Sequence, residues 1–115
     1  MLFRSDLVRV LVAIAVLTCL LAFCSGSSQA QSAGETLFKT KCAACHGPDG
    51  KGEVPMGKKL GARNLSSADV QGQSDAQLTE VVTKGKNKMP AYDGKLTKEQ
   101  IGELVAHIRD LGKKH

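Results

Sequence analysis

Aromatic side chains are almost absent from this sequence: they make up 3% of 115 residues, with no tryptophan and one tyrosine. Beyond residue 30 only Phe38 and Tyr92 remain, so no broad core can be assembled from rings. A membrane-length apolar run is missing too. The longest, Val10 to Cys24, has 15 residues, where a spanning helix needs about 20, which excludes a multi-span membrane protein. Alternating apolar and polar residues of the kind that mark strands are not found, nor is any internal repeat. With 23% charged and 42% hydrophobic residues, the chain is not disordered as a whole. Its length allows one domain at most, since domains commonly hold about 100 to 200 residues. An acidic excess is lacking as well: the formal net charge is +5. That modest value, without a recognition motif, is a poor basis for nucleic-acid binding.

What is present begins with an address. Arg4 and Arg9 precede the apolar run, and Ser25-Gly26-Ser27-Ser28-Gln29-Ala30 follows it. A basic start, a short apolar stretch and then small residues form the layout of a secretory signal peptide. Ser28 and Ala30 sit where a cleavage site requires small side chains, so cleavage is expected after Ala30. Residues 1–30 are then the signal and residues 31–115 the domain. An uncleaved anchor and a lipoprotein modified at Cys24 are the alternatives, the second weakened by bulky Phe23 before the cysteine. Each leaves the domain outside the cytoplasm. The remaining 85 residues would carry 14 basic and 10 acidic side chains, a net charge of +4. A chain of that size is near the limit for a core made of side chains alone, so another group is expected at its centre.

The domain reads as all-α, three to four short helices around a long glycine-rich loop. A first helix is expected from near Gly34 into Cys42. Gly47 to Asn64, with five glycines, Pro48 and Pro55, reads as loop. Ser66 or Ser67 is placed to cap a short turn through Val70. Ser74 with Gln77, and Thr97 with Gln100, match capping boxes. The first opens a helix ended by Gly85. The second opens one whose Ile101, Leu104, Val105, Ile108 and Leu111 share a face, with Gly112 expected just past its end.

The residues with chemistry are Cys42-Ala43-Ala44-Cys45-His46, a C-x-x-C-H motif, the attachment signature of c-type haem. Two thiols three positions apart suit the two vinyl groups of one porphyrin, and the adjacent imidazole then lies beneath the iron. His46 is expected as the proximal iron ligand, its second ring nitrogen donating to a carbonyl that fixes the tautomer. Three other readings compete. A thioredoxin-like dithiol calls for a βαβ pattern, which is missing. A structural disulfide would pair Cys42 with Cys45. A zinc site would need Cys42, Cys45, His46 and His107, although the histidines are 61 positions apart rather than the 3 to 5 of a zinc finger.

The sequence resembles the small mono-haem class I cytochromes c of bacteria. The likeness rests on Gly34-Glu-Thr-Leu-Phe38, on Cys42-Ala-Ala-Cys-His46-Gly-Pro-Asp-Gly-Lys-Gly52, on Lys88-Met89-Pro90-Ala91-Tyr92, and on the terminal helix from Lys98 to Leu111. It implies one covalent haem c held by Cys42 and Cys45, with Met89 as distal iron ligand; Met56 is the rival. It further implies that Pro55 offers its carbonyl to the His46 ring and that Gly47 and Gly52 let the loop approach the porphyrin. His107 departs from the family, in which an aromatic residue packs on the first helix at that position. On a helical wheel it falls at the edge of the apolar face, as a half-buried interface residue.

His/Met ligation leaves no vacant iron site, so the expected activity is one-electron transfer without catalysis and without a small-molecule substrate. Lys39, Lys41, Lys58 and Lys59, with Lys84, Lys86, Lys88, Lys95 and Lys98, would surround the haem edge and steer transient encounters with acidic redox proteins or membrane redox complexes. The periplasm is the expected location, a thylakoid lumen the alternative. An electron-transfer subunit of a larger assembly, or an open-site peroxidase or gas-binding protein, are the other functional readings.

Overall fold

The computed structural model describes residues 2–22 and 26–114. Cys24, the candidate for lipidation, lies outside them. Among the described residues seven helices follow in order: α1 Leu2–Ala22, α2 Gly26–Lys41, α3 Ala43–His46, α4 Pro55–Leu60, α5 Ala68–Gln71, α6 Asp75–Lys84 and α7 Lys98–Lys113. Among the described residues there is no strand, only isolated bridges joining Lys86 to Met89 and Asp93 to Leu96. The all-α expectation is met, but with six described helices in the domain rather than three to four: α2, α6 and α7 are the longer ones, and α3, α4 and α5 are short helices of four to six residues.

The caps sit where local chemistry places them. Ser74 and Gln77 form a reciprocal capping box at the start of α6, and Thr97 and Gln100 form another at the start of α7. Each satisfies two backbone donors that a helix start would leave unpaired. Ser67 caps α5, its hydroxyl accepting from the Val70 amide. Gly85 closes α6.

Three expectations are corrected. The Gly47 to Asn64 stretch is not all loop, because α4 forms inside it. Pro55 supplies a first helical residue whose missing N–H costs nothing there, and Gly61, at φ 70°, ends the turn in the left-handed conformation. Next, α2 starts at Gly26 rather than near Gly34, which lies within it. Finally, Gly112 is inside α7, whose C-cap is Lys114. A side chain at Gly112 would strike Gln71, its Cβ falling 2.4 Å from the Gln71 amide carbon, so this glycine permits a close packing instead of ending the helix.

The core is formed by Phe38 of α2, Leu65, Val70 of α5, Leu78 and Val82 of α6, and Ile101, Leu104, Val105, Ile108 and Leu111 of α7. The buried residues of α7 follow helical spacing, so one face of it is covered along its length. Its main partner is α2. At the crossing, a Cβ on Gly34 would lie 2.2 Å from the Glu103 carbonyl oxygen and 3.3 Å from the His107 Cβ. His107 is 5% exposed, fully buried rather than half-buried, because Gly34 brings the α2 backbone directly over it.

Candidate functional site

Lys41 ends α2, and the chain turns at once through Cys42 into α3. The amides of Cys45 and His46 both donate to the Cys42 carbonyl, at 3.2 and 2.9 Å. This single turn sets Cys42 and Cys45 on neighbouring positions of one helical face, as a spacing of three requires. The turn is gripped from outside by α4. Gly57 is buried, and a Cβ on it would lie 2.2 Å from the Cys45 carbonyl oxygen and 2.5 Å from that of Gly52. Only a residue without a side chain lets α4 lie this close to the cysteine turn.

Cys42, Cys45, His46, Met89 and Tyr92 all line one cavity of about 410 Å³. Its walls are core residues: Phe38, Leu65, Val70, Leu78, Val82, Leu104 and Ile108. Lys41, Arg63, Lys86 and Lys88, all exposed, also border it, and among the described residues no acidic one does. Met56, the rival ligand, does not line the cavity and is 48% exposed. A small all-helical domain whose largest apolar residues surround a space instead of filling it suits a flat apolar group. The two thiols, the imidazole and the thioether facing the same space supply the donors a haem requires.

The His46 ring is fixed by a backbone carbonyl, but not that of Pro55. Nδ1 lies 3.3 Å from the Arg63 carbonyl oxygen. A carbonyl only accepts, so Nδ1 carries the proton and Nε2 keeps its lone pair for a metal. Pro55 opens α4, where its carbonyl is directed along the helix axis. Burial holds the His46 pKa below the ordinary 6.5, with the Arg63 hydrogen bond opposing the shift. A neutral imidazole is the form able to ligate iron. Burial, with the Cys45 charge adding to it, pushes the Cys42 thiol up to about 11, so before attachment the sulfur rests as the thiol. Burial also raises the Tyr92 phenol.

The glycines expected against the porphyrin serve the chain itself. A Cβ on Gly52 would meet the Ala62 carbonyl oxygen at 2.6 Å, and Gly47 faces Asp49 and Val54. His107 does not border the cavity. Its ring packs on Phe38, with centroids 4.9 Å apart, while Phe38 lies 6.5 Å from the His46 ring. Among the described residues no three His, Cys, Asp or Glu side chains are grouped to hold a metal ion, so the Cys₂His₂ set with His107 is not assembled. Three contributors carry no motif in the sequence: the Arg63 carbonyl, Gly57, and the Tyr92 hydroxyl, which donates to the Lys41 carbonyl at 2.9 Å. The first two act through backbone geometry with no sequence signature. Tyr92, as one of two aromatics in the domain, carried a signal that its rarity made visible.

A family model described as cytochrome c oxidase, cbb3-type, subunit III matches residues 29–108. Cytochrome c6 of Limnospira maxima is 34% identical over 86 residues, covering 72% of this chain and 94% of that protein. The cbb3-type cytochrome c oxidase subunit CcoP of Azospirillum brasilense is 31% identical over 90 residues, 76% of this chain and 30% of the subunit. The chain therefore spans about a third or less of the oxidase subunits it matches. Among solved structures, the KustC0563 c-type cytochrome aligns with a TM-score of 0.63 at 34% identity, over 68% of this chain and 95% of that one.

Proposed function

The chain belongs to the small class I cytochromes c, electron-transfer proteins with covalently bound c-type haem, and from that premise we propose that it is a periplasmic one-electron carrier with His46 and Met89 as axial ligands. The observation that carries this reading is the meeting of Cys42, Cys45, His46 and Met89 on one apolar cavity. Haem, when bound, supplies the exchange between ferric and ferrous iron. The chain's own residues do the rest. Cys42 and Cys45 tether the group through thioethers. His46 offers Nε2, oriented by the Arg63 carbonyl. Met89 offers a soft neutral sulfur, which raises the reduction potential relative to a second imidazole or water. Phe38, Leu78, Val82 and Leu104 exclude water from the space they surround, which disfavours the more highly charged oxidised site.

The basic border supports an acidic partner. Of the nine lysines named from the sequence, Lys41, Lys86 and Lys88 adjoin the cavity. Lys39 is paired with Glu35 at 2.7 Å and Lys84 with Glu80 at 2.9 Å, which mutes their charge. Residues 1–30 act as the export signal in this proposal. The apolar side chains of α1 remain exposed, Leu11 at 58% and Leu17 at 61%, as befits a segment that is not part of the domain's core. Among the described residues no helix is long and apolar enough to cross a membrane. A second reading, an electron-transfer domain serving a membrane oxidase, is favoured by the cbb3-type relatives.

The test is spectroscopic. Purified protein gives the pyridine haemochrome of a haem with both vinyl groups saturated, and its ferric form shows the weak near-infrared sulfur-to-iron band. Met89→Ala removes that band and opens the ferrous iron to carbon monoxide. A band that survives the substitution refutes the ligand assignment, and a colourless protein refutes the haem.

A further inference from the structure

The segment carrying Met89 is anchored to α6 through its backbone. Lys86 and Met89 exchange amide-to-carbonyl hydrogen bonds of 3.2 and 2.9 Å across a tight turn, in which Asn87 adopts φ 53°. The Tyr92 amide donates to the Val82 carbonyl at 3.1 Å, and the Asp93 amide to that of Thr83 at 3.0 Å. These bonds tie the loop to the helix before it and do not reach the segment bearing the cysteines.

The Tyr92 side chain does reach it. Its hydroxyl donates to the Lys41 carbonyl at 2.9 Å, across 51 positions of sequence. Lys41 is the last residue of α2 and the immediate neighbour of Cys42. Its carbonyl is one of those that a helix end leaves without an intrahelical partner, and the phenol satisfies it. The ring is half-buried, lines the cavity with Cys42 and Met89, and packs against the hydrophobic core.

The geometry points to Tyr92 as a positioning residue: its hydroxyl latches the Met89 loop to the end of the helix that presents Cys42, and so holds the distal sulfur in place. This rests on the reading of Met89 as distal ligand. An external ligand can reach the distal side of the iron only when the sulfur leaves. If the loop must swing away from α2 for that, the Tyr92 bond is broken in the open state and intact in the closed one. The latch therefore resists ligand entry without touching the iron.

The experiment titrates ferric holoprotein with imidazole and follows the near-infrared band. Tyr92→Phe keeps the ring and removes only the hydroxyl. Its imidazole association constant should rise about five-fold, the worth of one neutral hydrogen bond, while the band stays present before imidazole is added. An unchanged constant overturns the latch, even if the unfolding midpoint drops, since a hydroxyl that served stability alone would leave the opening of the loop untouched. Met89→Ala separates the two readings. If it binds imidazole far more tightly than the parent while Tyr92→Phe does not, the latch falls and the ligand assignment stands. If the parent lacks the band, or Met89→Ala binds imidazole no more tightly, the ligand assignment falls and the latch with it.

Discussion

His107 is a polar ring in a place made for an apolar one. Its Nε2 is buried without a hydrogen-bond partner among the described residues, an arrangement that costs about 1 to 3 kcal/mol in general. Burial lowers its pKa from the ordinary 6.5; Lys114 and Lys39 act in the same direction, while Glu35 and Asp110 oppose them. Glu35 and Lys39 come from α2, Asp110 from α7 and Lys114 from its C-cap. Above the unfolded value of 6.5 the imidazole is neutral whether the chain is folded or not, and nothing is lost. Below it the unfolded chain takes up the proton first, so stability falls as the pH drops from 6.5 toward the lower folded value. Denaturant unfolding of the holoprotein at about pH 7.5 and about pH 5 should therefore show a larger loss for the parent than for His107→Phe; equal losses would refute the linkage. The helical wheel placed His107 at the edge of an apolar face. The resemblance placed that position against the first helix near Gly34 and Phe38, but full burial was not legible, because it depends on how closely the Gly34 backbone approaches the ring.

At the scale of elements, α7 does more than cover the core. Arg109 reaches across to the joint between α5 and α6, where its Nε donates to Asp75 Oδ1 at 2.9 Å and its Nη1 to the Gln71 carbonyl at 2.8 Å. Its Nη2 donates to the Gln73 carbonyl. Gln71 answers from the other side, its amide donating to the carbonyls of Leu65 at 2.7 Å and Ile108 at 2.9 Å. The two backbone carbonyls held by Arg109 belong to a part-buried turn, whereas the Asp75 side chain is 75% exposed. Charge-assisted bonds to such carbonyls are worth more than a solvated ion pair. Arg109→Ala should cost about 1.5 to 3 kcal/mol, and Asp75→Ala no more than about 1 kcal/mol. Denaturant midpoints of the two variants decide this, and equal losses would mean that the ion pair is what matters. The capping boxes at Ser74 and Thr97 were legible because their partners lie three residues away. The Arg109 clasp and the fit of Gln71 at Gly112 were not, since they join segments distant in sequence and leave no local pattern. The haem turn was legible for the opposite reason: five adjacent residues carry its whole chemistry.

For the molecule as a whole, charge is arranged more sharply than the net +5 suggests. Cations border the cavity at Lys41, Arg63, Lys86 and Lys88, of which Arg63 is paired with Asp69 at 3.9 Å, while Lys39, Lys84 and Lys113 are paired along helices. Oxidation of the ferrous protein by anionic hexacyanoferrate(III) should slow as salt rises, and oxidation by a cationic cobalt(III) complex should quicken. Screening acts over about 8 Å at physiological ionic strength, so only charges near the exposed edge contribute strongly. Lys86→Glu with Lys88→Glu should weaken both trends, and rates indifferent to salt would show that this border does not steer encounters. The pairing of α2 with α7 also has a meaning in time. Leu104 and Ile108, which wall the cavity, stand on the last helix, while Cys42, Cys45 and His46 follow directly after α2. In a chain delivered from its N-terminus the thiols arrive well before that wall, and contacts between distant segments form late. In a chain that emerges in this order the cysteine turn is therefore exposed before α7 can close the wall across from it.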